Sequence, residues 1–446
     1  MSWKLLAAHP WQEPLAFAAH FDGDLALLYS SRREAFSGTT SFLFLEPAFH
    51  ATGTHWRDVP PSEDNAQGLP DWVGYFGYAM GHQHATIAAP ITLPDFWISR
   101  YQRLFRFNHD AQSIDEFGRF DATESILPLE GGGRSAGSGG GATLPPHSSA
   151  APPSQPSPLQ GEGVIELTSN MRRSEYEAAV RATVSAIEEG DFYQANITRK
   201  FFGRFEQSAD GLDIFTKLCT QSPSPYSAFI RHGRIAIVSS SPESFLHVDA
   251  NRILTSRPIK GSIRRGNNEA EDKAFAKALS LSSKNLAENL MIVDLMRHDL
   301  AQVSEVGSVA VVEQSALYTY ATIHHLVSTV RATMRKEFNA YDAVRACFPP
   351  GSMTGAPKQA AIQWCASQEK MARGVYSGAI GWIAGNRCDL SVVIRTLILE
   401  GERFEFQVGG GIVADSDAQD EWHETLTKAR GIAAALGINE AELEAL

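Results

Sequence analysis

The sequence predicts an α+β fold: large antiparallel sheets flanked by helices. Three observations predict it. Apolar runs of strand length recur along most of the 446 residues. Neighbouring runs are joined by short turns more often than by helices, which favours antiparallel pairing over βαβ crossovers. A few longer stretches instead carry the helical period. Hydrophobic content of 43% and charged content of 20% suit a soluble globular chain. Size alone suggests two or three domains, although single mixed units of this length occur.

Residues 1–130 form an N-terminal region of strands. "LALLYSS" (25–31), "TSFLFLEP" (40–47), "WVGYFGYAM" (72–80) and "YQRLFRFN" (101–108) alternate with turn signals. Residues 131–163 are rich in Gly, Ser, Pro and Ala with almost no apolar bulk, so they read as a flexible insertion. A third region, 164–440, alternates helices and strands. Ser174 and Glu177 are spaced as a capping box for a helix whose apolar face is Tyr176, Val180, Val184 and Ile187, ending at Gly190. Strands follow at 193–201, 226–241, 307–312, 376–384, 388–400 and 403–413.

A net charge of −12 argues against a nucleic-acid binder, yet leaves room for a basic pocket that takes an acidic ligand. The four cysteines form no C-x-x-C pair, which points to reduced thiols in a cytoplasmic protein. The N-terminus reaches Trp-Gln-Glu-Pro too soon for a signal peptide, and no apolar run has the length of a membrane span.

Five stretches carry candidate chemistry. In the helix within 415–437, Glu421, Glu424 and Lys428 stack on one face. Two carboxylates a turn apart suit a hard divalent cation, with the lysine beside it for an anion; a solvated face with a Glu–Lys pair fits the same pattern. In "SSKNLAENLMIVDLMRHDLAQV" (282–303) the stripe reads Leu286, Leu290, Val293 and Met296 or Leu300, with Glu288 at its edge and Asp294, Arg297 and Asp299 as an ion-pair cluster. "FPPGSMTGAPKQAAIQW" (348–364) leads small residues into a helix near Pro357, so the amides of Met353 to Ala356 would point at an anion. "VGGGIV" (408–413) offers a close backbone approach, and a plain turn reading stands equally for both glycine-bearing stretches. His324 and His325 would face opposite ways in a strand.

Together these stretches resemble the chorismate-utilising enzymes, strongly over residues 164–435. The resemblance rests on "SSSPESFL", "RPIKGSIRRG", "AENLMIVDLMRHDL", "HHLVS", "PPGSMTGAPK", "YSGAIGW", "VVIRTL", "GGGIVADS" and "EWHETLTKA". Within that family, anthranilate synthases resemble "PIAGT" and the large subunit of aminodeoxychorismate synthase "PIKGT". This chain has Pro258-Ile259-Lys260-Gly261-Ser262. Family members that hydrate chorismate carry a lysine where this chain has Gln194, which cannot act as a general base. Two departures are Arg297-His298-Asp299 for the usual "RND" and Ser262 for Thr.

The resemblance implies amination of chorismate by ammonia to 4-amino-4-deoxychorismate, toward 4-aminobenzoate and folate. It places Mg²⁺ on Glu288, Glu421 and Glu424. Lys260 would be the nucleophile, His325 the proton donor, and Glu243 of "SSSPESFL" the third catalytic residue. Ser262, Ser352, Tyr376, Arg395, Gly409, Gly410, Gly411 and Lys428 would bind substrate, and a glutamine amidotransferase subunit would supply ammonia. The alternatives are an anthranilate synthase large subunit, or a non-catalytic relative that binds chorismate or tryptophan; Leu27-Leu28-Tyr29-Ser30 resembles the "LLxS" stretch that holds tryptophan in some members.

Overall fold

The strand Phe96–Asn108 buries side chains on both faces, among them Phe96, Ile98, Tyr101, Leu104, Phe105 and Phe107. That pattern belongs at the centre of a sheet with both faces covered. The computed structural model, which describes residues 2–30, 39–63, 65, 68–81, 90–120, 163–320 and 323–446, puts it there. One edge pairs with Thr40–Gly53; the other is shared by Trp72–Phe76 and Ser113–Phe120. The sheet forks at this strand.

One arm runs from Thr40–Gly53 through Leu25–Tyr29, the hairpin Tyr226–His232 and Ile235–Ser241, and the hairpin Thr396–Glu400 and Arg403–Ile412. It ends on Gln194–Phe205, whose far edge takes Val164–Ser169 and the short Gly355–Ala356. The other arm runs from Trp72–Phe76 through Ala379–Ala384, Arg387–Val392, Ser244–Val248 and Ile253–Arg257 to Ile323–Thr333. That last strand also pairs with Ile259–Arg264 and, on its other edge, Ala310–Thr319. All these pairings are antiparallel, as expected.

An apolar cluster joins the arms: Phe44, Ile230, Ile237 and Ile398 from the first meet Val73, Tyr75 and Ile380 from the second. The helices Arg173–Glu189, Gly211–Gln221 and Ala418–Leu436 cover the first arm's other face, and Ser283–Ala301 and Ala340–Cys347 cover the second's. Strands from residues before 121 and after 162 thus share one sheet, with Leu25 opposite Arg231 and Phe76 opposite Ala379. The 131–163 insertion, Gly163 excepted, lies outside the described residues.

Several expectations need correction. The first long helix starts at Arg173, and Glu175, not Glu177, reaches back to the Arg172 amide at 3.0 Å. Glu177 is drawn sideways instead, to Arg173 at 2.7 Å. The 388–400 run is two strands, because Val393 turns into the core and Arg395 takes φ +49°. On Ser283–Ala301 the buried stripe is Asn289, Ile292, Val293, Met296 and Leu300, while Leu290 is 49% exposed. The Ser328 hydroxyl donates to buried Asn289 at 2.5 Å, so a polar residue can hold the inner position.

Candidate active site

The distal ends of the two arms face each other across a cleft of about 750 Å³. The second arm contributes Lys260 on Ile259–Arg264, just after the break at Pro258. The pairing with Ile323–Thr333 slips between Ile259↔Val327 and Ser262↔His325, so Lys260 and Gly261 together oppose one residue. Gly261 supplies the required φ of +90°. This bulge re-aims the strand, and Lys260 lines the cleft.

The first arm contributes Gly409, Gly410 and Gly411. They form the end of Arg403–Ile412, within the strand expected over 403–413, and pair with Thr198, Ile197 and Asn196. Their missing side chains are space that other groups occupy. A Cβ on Gly410 would lie 2.7 Å from Glu421 Oε2; one on Gly411 would lie 2.4 Å from Gln194 Nε2 and 3.1 Å from Lys260 Nζ. Gln194 is fully buried here, with its Oε1 unpartnered among the described residues.

Three carboxylates converge on the same cleft. Glu421 and Glu424 lie on Ala418–Leu436, which begins at the Asp417 cap and ends at left-handed Gly437 as expected; Glu288 comes from Ser283–Ala301. Burial raises the pKa of Glu288 and of Glu421, while Lys428, one turn along the helix, holds Glu424 below its ordinary value. Ser416 donates to Glu421 at 2.7 Å, and Lys428 spans from Glu424 to the Gly409 carbonyl at 2.8 Å. The donor set suits a small hard cation: three carboxylates, two of them in burial that penalises their charge, beside a strand without a side chain at Gly410.

The expected catalytic groups also meet. Glu243 is buried, and burial pushes its pKa up to about 7 against the opposing pull of the Ser352 hydroxyl, Lys260 and the Ile259 amide. His325 lines the cleft, packed edge-on against Tyr320 at 5.4 Å, with Nδ1 bonded to Ser262 Oγ at 2.6 Å. His324 faces away, held by Asp272 at 2.9 Å. Tyr376 and Arg395 line the wall, the latter donating to Ser222 Oγ at 3.4 Å.

Some assignments shift in detail. Ser262 engages His325 and Ser352 engages Glu243. The amides of Met353 and Thr354 are taken by the carbonyls of Pro350 and Gly351, so they do not form an anion cradle. Asp299 leaves the proposed cluster with Asp294 and Arg297 and pairs with Lys358 at 2.6 Å. Sequence reasoning missed Lys284, 3.5 Å from Glu421; its place one turn before Glu288 on the helix was the available signal. It also missed buried Arg373, which is paired with Glu369 and donates to the carbonyls of Asn196 and Met353 at 2.7 Å each.

The mouth of the forked antiparallel sheet thus gathers a lysine, a carboxylate triad and a histidine in one cleft. The sequence matches the family described as chorismate binding enzyme over residues 17–434, and the chain belongs to that family. It is 34% identical over 401 residues to aminodeoxychorismate synthase component 1 of Salmonella typhimurium, covering 88% of this chain and 83% of that protein. It is 42% identical over 278 residues to the aminodeoxychorismate synthase of Streptomyces griseus, a match that takes in 62% of this chain but only 38% of that longer protein. Among solved structures, anthranilate synthase component I from Streptococcus pneumoniae superposes with a TM-score of 0.73 at 25% identity, over 94% of this chain and 97% of that one. The menaquinone-specific isochorismate synthase from Escherichia coli shares the fold at a TM-score of 0.75 and 14% identity, over 98% and 95% of the two chains.

Proposed function

We propose that this chain aminates chorismate with ammonia to 4-amino-4-deoxychorismate, as the component that works beside a separate ammonia-supplying glutamine amidotransferase. The observation that carries this reading is Lys260, delivered by the Gly261 bulge into a cleft shared with Glu243, His325 and three carboxylates.

Glu288, Glu421 and Glu424 would hold Mg²⁺, which when bound supplies a positive charge for the ring carboxylate of chorismate. Arg395 and Lys428 would orient the substrate's carboxylates, Arg395 through its planar fork. The Lys260 amine would form a bond to C2 while both ring double bonds shift along the ring and the C4–O bond breaks. The departing hydroxyl would take a proton from His325 and leave as water; Ser262 occupies Nδ1, so donation would run through Nε2. Glu243, whose pKa near 7 suits proton exchange, would take the proton that the lysine nitrogen sheds. Ammonia would then bond to C4, both double bonds would shift back, and the C2–N bond would break. Lys260 recovers its proton from Glu243, and His325 recovers one from the new amine. The net change is hydroxyl for amine at C4, with water released. Gln194, lacking a basic nitrogen, disfavours activation of water as the competing nucleophile.

The test is mass spectrometry of products from chorismate, Mg²⁺ and ammonium, for wild type and Lys260→Ala. Wild type is expected to give aminodeoxychorismate, and the variant to lose at least a hundredfold in rate. Anthranilate or isochorismate from wild type would overturn the reading.

A further inference from the structure

Away from the cleft, three metal-ligating side chains converge where the N-terminal strands meet the 226–241 hairpin. Asp24 immediately precedes Leu25–Tyr29, and the pairing of Leu25 with Arg231 sets it beside His232, the last residue of its strand. His50 comes from Thr40–Gly53, and its ring lies 4.4 Å from that of His232. One ligand atom from each of the three lies within 4.8 Å of the others.

Two of the ligands are also held from behind. His50 Nδ1 bonds to Ser99 Oγ at 2.5 Å, a contact that follows from their register pairing, and the ring stacks on Trp97. Asp24 accepts the Gly233 amide at 2.7 Å through Oδ1, which leaves Oδ2 toward the histidines. His232 Nδ1 sits 2.6 Å from that Oδ2 but is buried without hydrogen-bond geometry to any partner among the described residues. Orienting contacts behind His50 and Asp24, with a nitrogen and a carboxylate oxygen already side by side before them, are what a metal site requires.

We propose that Asp24, His50 and His232 bind a transition-metal cation of the Zn²⁺ class, separate from the carboxylates of the cleft. Two imidazole nitrogens and one carboxylate oxygen favour borderline cations such as Zn²⁺ or Co²⁺ over Mg²⁺, which prefers oxygen alone. Bonds of about 2.0–2.2 Å would need the 2.6 Å contact between His232 and Asp24 to open and His50 to move in, and would leave a fourth position for water. All three side chains are half-buried, so the ion can enter from solvent. The ion would clip residues 24 and 50 to the hairpin. The strand of that hairpin that ends at His232 begins directly after residues 221–225, which line the cleft. The role is therefore structural reinforcement at a distance from the chemistry.

The experiment uses untagged full-length protein in excess Mg²⁺, which occupies the cleft carboxylates. Titration calorimetry with Zn²⁺ is expected to show one equivalent bound and a raised melting temperature. His50→Gln and His232→Gln should each weaken binding at least tenfold and abolish the thermal shift. In wild type, Co²⁺ should give the intense visible absorption of low-coordinate cobalt, which does not depend on the variants folding. No Zn²⁺ binding, equal binding by the variants, or a cobalt spectrum like that of the hydrated ion overturns the proposal.

Discussion

Glu243 shows what burial does to a single carboxyl. Its raised pKa, about 7, means that the folded protein retains a proton there that the unfolded chain has already released. Folding stability therefore falls as pH rises from about 4.5 to about 7, by roughly 3 kcal/mol for a shift of this size. Glu243→Gln removes that slope. Urea denaturation at pH 5 and pH 8 is expected to give the variant a smaller difference between the two than wild type, together with a rate reduced at least tenfold in the chorismate assay. An unchanged pH slope would show that Glu243 is not the titrating group. The sequence marked this residue only through its resemblance, because nothing in "SSSPESFL" says that Ser352, more than a hundred positions away, donates to it. Lys260 too was marked through the resemblance, by Pro258-Ile259-Lys260-Gly261-Ser262; the bulge that aims it into the cleft arises from pairing with the distant Ile323–Thr333 strand.

At the scale of elements, the Arg403–Ile412 strand is shaped by what it lacks. Gly410→Ala puts a methyl 2.7 Å from Glu421 Oε2, the flexible end of a side chain, so the carboxylate shifts while the strand survives. The expected result is at least a tenfold rise in the Mg²⁺ concentration for half-maximal activity, with little change in melting temperature. Magnesium titration of the variant checks this; an unchanged requirement would remove Glu421 from the metal set. Element types were largely legible, since alternation and helical period are local. Faces were less so. Leu290 reads as core by its period, yet the inner position goes to Asn289, whose side chain accepts from Ser328. The 388–400 run reads as one strand for the same reason: the break at Val393–Arg395 exists because the core between the arms claims Val393, a tertiary demand that no local pattern records.

At the scale of the whole molecule, strands on either side of residues 121–162 share one sheet. Strands 25–29 and 72–76 each pair with a strand of the C-terminal region on one edge and with an N-terminal strand on the other, with buried residues on their faces. Removing them would expose apolar sheet surface and leave 226–232 and 379–384 with unpaired edges. A fragment of residues 163–446 is accordingly expected to be insoluble, whereas the full chain should unfold by calorimetry in a single transition. A soluble fragment with a cooperative melt of its own would contradict this. The same interleaving sets a timetable for the ribosome. The Gln194–Phe205 strand waits for Arg403–Ile412 to pair with it, and two of the cleft's carboxylates ride on Ala418–Leu436, which emerges later still. Contacts so distant along the chain fold slowly. The nascent protein therefore carries an open sheet edge while all the residues between those two strands are made, which makes it a natural client for chaperones that shield unpaired strands.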